Sequence, residues 1–154
     1  MERRKKSIVI ALFFLVFLFV FFWYRSQQPM EETYQPLSPE EVVRLYFTSW
    51  DQKNYADMHS TFSDGFKRIE PTAEDLATFR AYVDGQGVEE VNILSLRETS
   101  NDETTATVDY QIEFILADGK RVPYQGTFTL KYRTGDIIRG WKLIHPYGEN
   151  IDNS

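Results

Sequence analysis

Seventeen consecutive apolar residues, IVIALFFLVFLFVFFWY at positions 8–24, constrain this chain more than any other stretch. They include no charge, no glycine and no proline. At about 1.5 Å rise per residue, a helix over this run reaches ~25 Å, near the short end of what a bilayer core needs. Ser7 and Arg25 extend it, the guanidinium snorkelling to the headgroups. Trp23 and Tyr24 fall where an interfacial aromatic belt belongs. Arg3, Arg4, Lys5 and Lys6 precede the run and only Arg25 closely follows it, so the positive-inside rule places the N-terminus in the cytoplasm. A cleaved signal peptide has the same charge layout but needs small residues at its cleavage site, and FFWYRSQQP offers none. The run is apolar on every side, unlike a helix lying on a folded core. The expected organisation is a basic cytoplasmic stub (1–6), a single-pass signal anchor in the cell membrane (7–25), a linker (26–37), an extracytoplasmic domain (38–148) and a polar tail (149–154).

Outside the anchor and its flank, 12 basic residues stand against 22 acidic ones, a formal charge of −10. Such a domain does not bind nucleic acid by neutralising phosphates. Taken as a whole, it is repelled by anionic membranes and wall polymers. The chain has no cysteine, hence no disulfide framework and no lipid-modified thiol, which fits a thiol-poor bacterial envelope. The length remaining suits one domain with a single core.

Residues 26–37, with two prolines, three glutamines and two glutamates, read as the linker. Ser38-Pro39-Glu40-Glu41 is a helix start: Ser38 as cap, Pro39 in the first position, Glu41 closing a capping box. That helix runs to about Asp51 with Val43, Tyr46, Phe47 and Trp50 inward. A short second helix is expected from Asn54, with Tyr55, Met58, His59 and Phe62 on its apolar side and Asp64-Gly65 ending it. A third is expected to open at Pro71-Thr72, with Leu76, Phe79, Tyr82 and Val83 as its inner stripe.

After Gly87 the apolar period changes to two. Residues 88–97 form a first expected strand, with Val91 and Ile93 on one face, Leu94 and Leu96 on the other, and a bulge or two-sided burial to explain the shift. Residues 104–116 alternate cleanly: Ala106, Val108, Tyr110, Ile112, Phe114 and Leu116 against Thr105, Thr107, Asp109, Gln111 and Glu113. Tyr124, Gly126, Phe128, Leu130 and Tyr132 continue the apolar face in a third strand, and residues 140–145 make a fourth. A three-residue loop, Asp118-Gly119-Lys120, would pair Phe114 with Tyr124, Tyr110 with Phe128 and Val108 with Leu130, and put Pro123 at an edge or bulge.

The expected fold class is therefore α+β, three N-terminal helices packed on a four-stranded antiparallel sheet, preceded by one transmembrane helix. This order resembles the nuclear transport factor 2-like superfamily, which implies a curved sheet wrapped into a cone around the helices. WDQKNYADM at 50–58 resembles the step between the first two helices in the non-catalytic N-terminal domain of methicillin-resistance-type penicillin-binding proteins, and GWKL at 140–143 resembles the Trp-containing final strand of the superfamily. No S-x-x-K, S-x-N or K-T-G occurs, so the resemblance brings no acylating serine.

Chemistry-bearing residues are sparse. Two histidines and no cysteine give no metal-ligand set, and no cofactor is implied. Asp109 is the carboxylate to weigh as a general base, since isomerases of the superfamily use a pocket aspartate, but its parity sets it with Thr107 and Gln111, away from Tyr110. The pocket candidates are Tyr46, Trp50, Tyr82, Tyr110, Tyr124 and His145, whose polar tips need partners when buried. The expected function is a non-enzymatic accessory domain of the bacterial envelope that binds a protein partner or a small apolar ligand. Its other expected contacts are the bilayer through residues 8–24 and a homodimer through the sheet. A scaffold subunit of a secretion or conjugation machine, and a small isomerase or dehydratase, are the alternatives. External protease added to intact protoplasts is expected to remove the domain and leave the N-terminal stub; a protected domain, or a mature N-terminus near Ser26, contradicts the uncleaved anchor.

Overall fold

The computed structural model describes residues 35–146. The expected anchor, the stub, most of the linker and the tail lie outside them. Among the described residues no helix is long and apolar enough to cross a membrane.

Helix α1 (Pro39–Asp51) starts as its sequence dictates. The Ser38 hydroxyl accepts the Glu41 amide at 3.3 Å, and the Glu41 carboxylate accepts the Ser38 amide at 2.7 Å. Val42, Val43 and Phe47 face the core. Asn54 caps α2 (Tyr55–Ser60), which buries Met58 completely. The next segment departs from expectation. Asp64-Gly65 opens a further helix, α3 (Asp64–Ile69), instead of ending α2. Gly65 does not take the positive φ that makes glycine a helix stop, and the Ser63 hydroxyl caps the new helix by accepting the Phe66 amide at 2.9 Å. Pro71–Ala73 is a single 3₁₀ turn, not a helix start. Glu70 ties it down by accepting the Thr72 amide and hydroxyl, and α4 (Leu76–Asp84) begins later, capped by Asp75. Among the described residues there are thus four helices and a 3₁₀ turn where three helices are expected. The later start also changes the stripe: Phe79 and Val83 are buried, whereas Leu76 and Tyr82 are 43% and 48% exposed.

The sheet has the order β1 (Val88–Asn101), β2 (Thr105–Leu116), β3 (Arg121–Arg133), β4 (Gly140–Leu143), antiparallel throughout, with the helices packed on it. Against β2, the register of β1 slips by one residue at three places, between Val88 and Glu90, Ile93 and Ser95, and Glu98 and Ser100. The middle slip decides the faces. Leu94 is the extra residue and stands 61% exposed, and Leu96 therefore returns to the side of Val91 and Ile93.

The β2–β3 loop has three residues, but they are Ala117, Asp118 and Gly119. Gly119 takes φ +79°, the left-handed position that closes such a loop, and Leu116 N–H donates to the Lys120 carbonyl at 2.9 Å. All pairs are displaced by two residues from the expected ones: Phe114 meets Val122, Ile112 meets Tyr124, Tyr110 meets Gly126 and Val108 meets Phe128. A shift of two preserves every face. Pro123 lies where β4 does not reach, so its missing N–H costs no ladder bond on that side. β4 is shorter than expected, and its outer edge is covered by residues 61–63, through Leu143 N–H to the Thr61 carbonyl and Ser63 N–H to the Leu143 carbonyl.

The core holds Val43, Met58, Val108, Ile112, Leu130 and Leu143 at full burial. Gly126 is required by its neighbour: a Cβ there would stand 2.6 Å from the Tyr110 hydroxyl, whose ring stacks on Phe128 at 4.7 Å. Gly126→Val is expected to destabilise the domain by about 1–3 kcal/mol through overpacking, and by less in a Tyr110→Ala background. Urea titrations of the four proteins of this cycle check the coupling; equal costs in both backgrounds would show that the ring does not fill the site.

Candidate functional site

Four of the six pocket candidates, Tyr46, Trp50, Tyr110 and Tyr124, form one aromatic arc on the helix-facing side of the sheet. Tyr46 sits at its inner end, edge-on to Phe47, Trp50, Phe62 and Phe128 with centroids 5.1–6.1 Å apart. Trp50 rests on Phe114 at 4.9 Å. Tyr110 lies between Phe128 and Tyr124, and Tyr124 also meets Phe114 at 6.2 Å. Tyr82, exposed on α4, is close enough that its phenol and that of Tyr110 affect Tyr46. Burial pushes the Tyr46 phenol well above the ordinary tyrosine range, with Tyr110 and Tyr82 adding to it. Burial also raises the pKa of Tyr110, helped by Tyr124. The Tyr46 hydroxyl has no hydrogen-bond partner among the described residues.

His145 is elsewhere. Its ring packs on Phe66 of α3 at 5.2 Å, and its Nε2 lies 3.4 Å from Glu70 Oε2. The strand expected over residues 140–145 ends at Leu143, so His145 does not continue its alternation. His59 is a packing residue: its Nε2 lies 2.8 Å from the Ala73 carbonyl, its ring tilts over Phe79, and burial holds its pKa below the usual histidine value.

The opposite face of the sheet carries a concavity of about 740 Å³. Three adjacent cross-strand rows line it, Arg97–Asp109–Thr127 and Ser95–Gln111–Gln125 with Leu96–Tyr110–Gly126 between them. Asp109 accepts the Thr127 hydroxyl at 2.7 Å and Arg97 at 3.3 Å, and these bonds, Thr127 first, hold its pKa below the usual aspartate value. It faces away from the arc, as its parity indicates. Sequence reasoning missed the second row, because Ser95 comes opposite Gln111 only through the bulge at Leu94. Among the described residues no three His, Asp or Glu side chains gather as a metal site.

No family model matches the chain, and no curated protein does. Solved structures do. A nuclear transport factor 2-like protein of unknown function from Shewanella oneidensis superposes with a TM-score of 0.52 at 8% identity, over 68% of this chain and 90% of that one. A SEC-C motif containing protein from Rhodopseudomonas palustris gives 0.50 at 16% identity, over 70% and 76%. A ketosteroid isomerase from Mycobacterium gives 0.49 at 11% identity, over 70% and 92%. At such identities the likeness shows the fold, which is nuclear transport factor 2-like.

The His59 geometry has a pH consequence. Its folded pKa lies below the unfolded value of about 6.5, so the unfolded chain takes up the proton first. Its contribution is complete above that value and is lost as pH falls through it. Stability is expected to fall as pH drops from about 7 through the unfolded value towards the lower folded pKa, and His59→Gln is expected to flatten that drop; an unchanged pH profile in the variant would show that His59 is not its source.

Proposed function

We propose that this chain is a membrane-anchored, extracytoplasmic accessory domain of the bacterial envelope, without a catalytic centre of its own, that binds a protein partner or a small apolar ligand at the aromatic arc. The observation that carries this reading is the segregation of charge. Rings and phenols fill the helix-facing side, while Asp109 is held ionised on the other face by Thr127 and Arg97. Proton transfer inside an apolar cone needs a carboxylate or imidazole there, tuned by desolvation. The arc instead offers apolar area with a few phenol tips, the composition of a recognition surface. Anchoring rests on residues 8–24 and their flanking charge. The finer likeness to the N-terminal domain of methicillin-resistance-type penicillin-binding proteins rests on WDQKNYADM and GWKL, and it favours an accessory role beside other envelope proteins.

Complementation of a strain lacking the chain tests this. Asp109→Asn and His145→Ala are expected to restore the phenotype, whereas Trp50→Ala combined with Tyr124→Ala is expected to fail at wild-type protein levels. Loss of function in Asp109→Asn or His145→Ala at unchanged stability would replace the binding reading with a catalytic one.

A further inference from the structure

The segment joining β3 to β4, residues 134–139, displays two adjacent isoleucines to solvent: Ile137 is 93% exposed and Ile138 51%. Their exposure is built in. Asp136 accepts the Asp64 amide at 3.0 Å, and Asp64 in return accepts the Ile137 amide at 2.9 Å. Arg133 Nε meets the other Asp136 oxygen at 3.1 Å, with the two side chains only 12% and 4% exposed. This clasp onto the start of α3 holds the loop out and keeps both isoleucines from folding back onto the core. Behind the tip, Tyr132 and Trp141 stand opposite each other across the hairpin, edge to face at 5.5 Å and partly exposed. Lys131 and Arg139 flank them.

An aliphatic tip backed by an aromatic pair, with Arg139 ahead of the pair and Lys131 behind it, has the residue types that a bilayer interface selects. The position in the fold agrees. Trp50 packs on Phe114 and Phe47 on Tyr110, so α1, traced back towards Pro39, runs to the Thr105 end of β2. Thr105 pairs with Lys131, at the base of the hairpin. The chain therefore enters the domain at the end where the isoleucines project.

We propose that this hairpin is a second membrane contact, in which Ile137 and Ile138 enter the outer leaflet of the bilayer that holds the anchor. The proposal rests on the anchored reading. Two aliphatic side chains alone bind lipid weakly, but a tether of twelve residues, at most about 40 Å when extended, keeps them at high local concentration. The formal charge of −10 opposes approach to an anionic surface only on average. The neighbouring β1–β2 turn brings Asp102 and Glu103 close to the hairpin, through Tyr132 N–H to the Thr104 carbonyl. Apolar insertion, more than charge, therefore carries the contact. Fixing the hairpin on the bilayer sets which way the aromatic arc faces.

The chain has no cysteine, so single labelled sites are clean. Full-length protein with Ile137→Cys or Ile138→Cys, carrying an environment-sensitive fluorophore, is reconstituted in phosphatidylcholine vesicles with and without phosphatidylglycerol. Both labels are expected to shift to the blue and to be quenched by brominated lipid tails in either vesicle, while a label at Ala81→Cys on α4 is not. Ile137→Asp is expected to abolish quenching of the label at 138. A chain that floats with the vesicles but whose 137 and 138 labels stay aqueous overturns the hairpin contact alone. Failure to float overturns the anchor and the hairpin contact together. Protection seen only in native membranes, and absent in pure lipid, assigns the tip to a protein and overturns the proposal.

Discussion

The contact on which the rest of the domain depends is that of Phe47 with Tyr110 and Phe128. Phe47 is buried on α1, and its ring meets those of β2 and β3 at 5.1 and 5.9 Å. Aromatic pairs of this kind contribute roughly 0.5–1.5 kcal/mol beyond their area burial, and burying the ring itself contributes about 1.5–3 kcal/mol. The contact also fixes direction. With Phe47 seated between β2 and β3, Trp50 reaches Phe114 and Tyr46 reaches Phe62, which carries the bridge to β4. Asp51, at the end of the same helix, then accepts the Val91 amide of β1 at 2.9 Å. One helix face thus touches all four strands or their immediate neighbours.

The sheet must bend to meet that helix, and β1 supplies the irregularity. Its three one-residue slips each add local twist and push one side chain out of the alternation. They also blunt the exposed edge of β1, while residues 61–63 cover the edge of β4. The bulge at Leu94 couples the two faces. It returns Leu96 to the core and brings Ser95 beside Gln111, so the same insertion completes the apolar face and the polar row behind it.

How much of this was legible in the sequence follows from how local each determinant is. The capping box at Ser38 and Glu41, the cap at Asn54 and the alternation along β2 depend on a few adjacent residues, and all three hold. Asp64-Gly65 misled because the same dipeptide ends or starts a helix according to the φ of the glycine, which the Ser63 cap decides. The β2–β3 register differs by two from the expected one because a three-residue loop takes its glycine in the last position, which makes Ala117, not Asp118, its first residue. The arc was largely readable, since Tyr46, Trp50, Tyr110 and Tyr124 lie on faces that parity assigns. His145 was not, because it follows the strand's end, where parity loses meaning, and its contacts to Phe66 and Glu70 come from the unforeseen α3.

Two adjacent residues, Asp109 and Tyr110, show how the chemistry of the two sheet faces differs. One peptide bond apart, they point to opposite faces. Hydrogen bonds from Thr127 and Arg97 push the aspartate down, and burial pushes the tyrosine up. Each shift moves the group's pKa further from 7, so at pH 7 the first stays ionised and the second protonated. Acid–base work needs the reverse, a carboxylate raised or a phenol lowered toward the working pH. Glu70 is lowered as well, by Thr72 first, and Tyr46 is raised. Lys142 alone among the strand residues moves inward, lowered by burial, but its ammonium is held at 2.6 Å on the Ser60 carbonyl between β4 and α2, away from the arc.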